Sequence, residues 1–238
     1  SGADSFTVKV TDATGSYSTR TISVTVDAAP DAPVGLGVSS HIENALALDG
    51  SNDYVDAGRG TDDSLAITGD LTVETWFKPE AYSINGTARP YLFVFGENST
   101  DLTKNALYGV YIDDAGDLVY VHEDSTVTTH SHAFDTNLVL GDWHHLAMVR
   151  DDAAQTVTLY IDGAAVGSPF NYTASAAGGS ATTFTAGALK GASSAYAFDG
   201  QLADMRVWND VRTIDEINAN MDTYISPSET GLVSNWKM

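Results

Sequence analysis

The chain of 238 residues contains no cysteine. Disulfide cross-links, thiol catalysis and thiolate metal sites are therefore excluded. Positive charge is also scarce, with 11 Lys+Arg against 32 Asp+Glu and a formal net charge of -21. A field of that sign repels phosphate backbones and anionic lipid surfaces, so neither nucleic acid nor a membrane is an expected partner. No apolar run approaches the ~20 residues needed to cross a bilayer, and direct membrane insertion is not expected. The first residues, Ser1-Gly2-Ala3-Asp4, offer neither an initiating Met nor a signal peptide, which reads as a piece of a longer multidomain chain.

What is present is enough for a folded domain. Hydrophobic residues make up 43% of the chain, so a full core can be buried. The acidity has two readings. One is solubility, with self-repulsion screened in salty surroundings. The other is that carboxylates share calcium, a hard cation that takes oxygen ligands. Many Asp with no Cys fit an extracellular protein of the bacterial cell surface, with calcium in place of disulfide staples.

Periodicity points to strands. Phe6–Val10 and Thr21–Val26 alternate apolar and polar residues, with turn residues Asp12–Ser16 between them. Asp27-Ala28-Ala29-Pro30-Asp31-Ala32-Pro33 is a stiff connector and the clearest boundary, dividing the chain into 1–33 and 34–238. Two strands alone are marginal in water. The first segment is thus either the tail of a larger domain or a hairpin docked on the main body. Beyond it the strongest strands are Leu71–Phe77, Tyr91–Phe95, Leu107–Ile112, Leu118–Val121, His145–Val149 and Val157–Ile161. Many short strands with regular turns predict an all-β, two-sheet antiparallel β-sandwich or jelly roll. One short helix is expected near the C-terminus, Thr213–Met221, opened by a Thr213/Glu216 capping box.

Two resemblances refine this. Residues 4–33 are similar to the last strands of cadherin-like, immunoglobulin-sandwich repeats of large bacterial adhesins, keeping Asp31-Ala32-Pro33 of their connector but with Pro30 where Asn is usual. Four later segments, in order, resemble the laminin-G-like, concanavalin A-like jelly roll. They are Ala45–Val55, Leu71–Pro79, Trp143–Val149 with Leu159–Gly163, and Phe198–Asn209. That resemblance implies a family of sugar- and protein-binding modules, frequently with calcium, found in secreted and cell-surface proteins.

Asp49, Asn52 and Asp53 place three oxygen-bearing side chains within five residues around Gly50. Calcium sites need such clustering on a bent backbone. In the resembled fold the strand of Asp204 lies near that of Asp49, so Asp204 is expected to complete the calcium site; the competing reading is a polar turn in which Asp49 caps its own backbone. His130-Ser131-His132 would put both rings on one strand face, and of His144 and His145 one ring is expected beside Trp143 and the other in solvent. Trp76, Trp143, Trp208 and Trp236 read as packing residues rather than a sugar-stacking set. Ligand groups are expected on rim loops at one end of the sandwich, in Tyr82–Arg89, Glu97–Asn105 and Ala192–Tyr196, led by Glu97, Asn98 and Asp101 with Tyr196 as an aromatic platform.

No Glu-x-Asp-x-x-Glu pairing of an acid with a nucleophile occurs, nor a Gly-x-Ser-x-Gly elbow or a phosphate-cradling loop. The expected function is therefore non-catalytic: a calcium-supported, lectin-like module of a bacterial adhesin that attaches to glycans on cells or surfaces. The alternatives are a structural or protein-binding module of the same fold, and a binding appendage of an extracellular hydrolase.

Overall fold

A computed structural model describes strand backbone at residues 2–11 and 17–26, then residues 42, 44–82, 89–96, 106–177, 182–191 and 194–237. The chain divides into two compact units, 1–36 and 37–238. In the first, β1 (Gly2–Thr11) and β2 (Tyr17–Val26) form a two-stranded antiparallel sheet, with Gly2 opposite Val26 and Thr11 opposite Tyr17.

The second unit is the expected β-sandwich. Its strands are β3 (Leu46–Asp49), β4 (Val55–Gly58), β5 (Leu71–Pro79), β6 (Tyr91–Gly96), β7 (Tyr108–Ile112), β8 (Leu118–Glu123), β9 (Thr129–Phe134), β10 (His144–Asp151), β11 (Thr156–Ile161), β12 (Ala164–Ala165), β13 (Phe170–Asn171), β14 (Thr183–Ala186), β15 (Asp199–Trp208) and β16 (Leu232–Trp236). One sheet has six strands in the order β4-β14-β6-β7-β8-β9. The other has eight: β12-β11-β10-β5-β15-β16, with β13 paired to β11 and β3 to β15. Every pairing is antiparallel.

The core between the sheets comes from alternate residues. Leu71, Val73 and Phe77 of β5 meet Phe93 and Phe95 of β6, Tyr108, Val110 and Ile112 of β7, and Leu146 and Met148 of β10. Arg150 continues the inward series of β10 and is fully buried. It donates to the carbonyls of Ile67, Gly69 and Leu107, so the charge is satisfied by backbone acceptors that would otherwise lack donors.

The two outer faces differ. Along β5 the outward Thr72, Glu74 and Trp76 are as buried as the inward residues, because a helix covers this sheet. Helix α1 (Ile214–Asn220) begins at the expected capping box: Glu216 donates its amide to Thr213, and its carboxylate accepts from the Thr213 amide. Ile217 packs on Ala147 and Val149 of β10, and the Trp76 indole donates to the Met221 carbonyl. Among the described residues no helix is long and apolar enough to cross a membrane.

Candidate functional site

The turn expected to hold calcium is a hydrogen-bonded polar turn. Asp49 Oδ1 accepts the Ser51 amide at 2.9 Å, and Asp53 Oδ2 lies 3.4 Å from the Asp49 amide nitrogen. Gly50 has φ +70, and a Cβ there would meet Asp199 Cβ at 2.8 Å, so this position needs glycine. Asn52 is exposed. Asp204 does not join this turn. Asp49 pairs with Asp199, and Asp204 lies five residues further along β15, within the irregular stretch between Ala203 and Arg206 where β15 shifts register against β5. There its buried carboxylate grips the Arg206 guanidinium through both oxygens. Arg206 also donates to the carbonyls of Asn220 and Thr223, so Asp204 anchors the helical cover. Asp204 thus sits apart from the Asp49–Asp53 turn, and among the described residues no three His, Cys, Asp or Glu side chains come together in a group that could hold a metal ion.

The histidines take packing positions. His130 and His132 do share a face of β9, but each is engaged: His130 stacks on His122 at 4.7 Å and contacts Asp124 at 3.1 Å, and His132 stacks on Phe170 at 5.0 Å. His145 is buried against Trp76 and Glu74 rather than beside Trp143. His144 Nδ1 lies 2.9 Å from Asp162, whose hydrogen bond raises the imidazole pKa. Trp208 and Trp76 are buried, in keeping with packing roles.

An apolar cavity of about 270 Å³ opens between the sheets beside β3 and β4, lined by Leu46, Val55, Ala57, Phe184, Met205 and Trp236. Its side chains give a hydroxyl-rich ligand nothing to hydrogen-bond, so it does not have the chemistry of a sugar site.

The outer face of the six-stranded sheet has that chemistry. On β7 the residues between the inward Tyr108, Val110 and Ile112 point outward, which brings Tyr111 onto this face. A register shift between Tyr91 and Phe93 turns Tyr91 the same way, and the two rings meet edge-on at 5.3 Å. Tyr91, Val94, Val121, Ala106 and Leu189 form the floor, with Tyr111 and Tyr196 packed against it. Arg89 lies over the Tyr111 ring, 5.5 Å from its centroid. Tyr91 is fully buried and its hydroxyl has no hydrogen-bond partner, while burial pushes its pKa up against the opposing effect of Arg89. Arg89, Tyr111 and Tyr196 are half-buried and so within reach of a ligand.

The described ends of two of the rim loops expected from the sequence meet at this face. The Arg89 amide donates to the Ala195 carbonyl at 2.8 Å, which joins the ends of two of them. The third is flanked by Gly96 at the end of β6 and by Ala106 in the floor cluster. Glu97, Asn98 and Asp101 lie outside the described residues. Tyr196 ends a short 3-10 turn and packs onto the floor, where it could serve as a platform. Arg89, Tyr91 and Tyr111 were not picked out from the sequence; for Tyr111 the alternation in Leu107–Ile112 held the signal.

The profile of the Laminin_G_3 family, described as the concanavalin A-like lectin/glucanases superfamily, matches residues 49–218. The chain belongs to that family. Among solved structures, the chain is similar to the CBM40 of a Ruminococcus gnavus IT-sialidase bound to α2,3 sialyllactose. The identity is 15% and the TM-score 0.59, over 74% of this chain and 96% of that one. It is similar to a candidate carbohydrate binding protein from Bacteroides ovatus, 18% identical with TM-score 0.56, over 71% of this chain and 45% of that one. It is also similar to the NanB sialidase of Streptococcus pneumoniae, 17% identical with TM-score 0.56, over 73% of this chain and 27% of that one. At these identities the likeness establishes the fold. No match was found among curated proteins.

Proposed function

We propose that the chain is a non-catalytic carbohydrate-binding module that holds a glycan on the outer face of its six-stranded sheet. The observation that carries this reading is the Arg89–Tyr111 pair, a guanidinium over a half-buried aromatic ring on the sheet face opposite to the helix-covered one. An aromatic ring offers a flat apolar surface to sugar C–H groups, and nearby polar groups fix the hydroxyls. Tyr196 supplies a second ring packed on the same floor. The CBM40 with sialyllactose bound shares this fold, which supports the reading. In the same proposal the module is extracellular, is carried on a bacterial surface adhesin behind a cadherin-like repeat, and attaches it to glycans on cells or surfaces.

A glycan array with the purified chain, followed by calorimetry on the best hit, tests this. Binding is expected, and Tyr111→Ala should weaken it at least tenfold while the variant, although less stable because the ring packs on the floor, stays folded at the assay temperature. Absence of glycan binding, or a Tyr111→Ala variant that binds as well as wild type, would contradict the proposal.

A further inference from the structure

We infer that the sugar held on this face carries a carboxylate, gripped by Arg89. The inference rests on the reading of the six-stranded face as the glycan site. Its starting point is a charge left over in an acidic chain. There are 32 Asp+Glu in the sequence. Arg59, Lys78, Lys190, Arg206 and Arg212 each hold a carboxylate within ion-pair distance. The buried Arg150 is satisfied by three carbonyls. Arg89 forms no ion pair among the described residues; its guanidinium rests over Tyr111 instead.

That arrangement favours a planar anion. Contact through the aromatic face steadies the guanidinium while leaving N–H donors for a second partner. The fork of those donors matches the two oxygens of a carboxylate. The Tyr91 hydroxyl is buried and, among the described residues, no group lies within hydrogen-bonding geometry of it. Burial pushes its pKa up, so it stays protonated and can donate. The chain's net charge of -21 disfavours anions in general, so an acidic sugar needs this short-range, directional contact to bind at all.

The test pairs acidic and neutral sugars of the same skeleton, using an array of sialylated, uronate-containing, sulfated and neutral glycans. Calorimetry follows on the best carboxylated hit and its carboxyl-free counterpart, such as sialyllactose against lactose. Carboxylated glycans are expected to bind best. Arg89→Gln should weaken them by about 10- to 100-fold, the range for losing a hydrogen-bonded charge, and Arg89→Lys should lose less. The melting temperature should move little, because Arg89 holds no ion pair among the described residues. If neutral glycans bind as well and Arg89→Gln leaves affinity unchanged while Tyr111→Ala abolishes it, carboxylate selectivity is wrong and the glycan face stands. Binding confined to sulfated glycans also overturns the carboxylate assignment. No binding to any glycan overturns both.

Discussion

Asp204→Ala is expected to destabilise the 37–238 unit by about 3–5 kcal/mol, the usual consequence of removing one partner from a buried ion pair. The Arg206 side chain is 1% exposed and that of Asp204 8%, so water cannot replace the lost carboxylate. The guanidinium also holds the carbonyls of Asn220 and Thr223. Its charge would be left uncompensated under the helical cover. Asp204 has φ 45, where Asp and Asn are tolerated better than Ala, so Asp204→Asn separates backbone strain from charge. The Asn variant should still be strongly destabilised. Replacing both residues together with apolar side chains should recover much of the loss, because an ion pair as a whole contributes little net stability. Urea unfolding in calcium and in chelator reads all three. The same loss is expected in both conditions, since Asp204 is engaged by Arg206. A variant whose only effect is to remove chelator sensitivity would instead place a metal at Asp204.

Acid should destabilise the unit through His122. Its pKa is lowered from 6.5 to about 4, chiefly because burial disfavours the imidazolium. Arg150 and the stacked His130 also lower it, while the Ala174 carbonyl and Asp124 oppose them. The unfolded chain therefore binds a proton at higher pH than the folded one. Stability is full above about pH 6.5 and falls as pH drops from there towards 4. A shift of that size corresponds to about 3 kcal/mol. The His122→Phe variant keeps an aromatic ring against Tyr172 and His130 but cannot take up the proton. Its unfolding free energy, followed by urea titration from pH 7 to 4, should decline less than wild type by roughly that amount. Parallel curves for the two proteins would show that His122 does not couple acid to unfolding.

Much of this architecture was legible in the sequence because it depends on local pattern. The strand-forming segments Leu71–Phe77 and Tyr91–Phe95 matched β5 and β6 to within one or two residues. The Thr213/Glu216 spacing located the helix start, since capping is a contact between residues three apart. The site depended on long-range register. The resemblance puts Asp204 near Asp49, but the residue opposite Asp49 is Asp199, and Asp204, five positions along β15, pairs with Arg206. Tyr91 reads as a core residue until the shift before Phe93 turns it outward, and no local signal announces that shift. Arg89 lay at the end of a loop already singled out. Its meaning appeared only when β7 brought Tyr111 beneath it, from residues 22 positions later in the chain.

The most direct test of the central claim is the position of a bound glycan. A crystal structure of the chain with its best array hit should show the sugar over Tyr111, beside Arg89 and Tyr196, on the outer face of the six-stranded sheet. A sugar seated instead at the Asp49–Asp53 turn, in the apolar cavity beside β3, or on the helix-covered face would contradict the account.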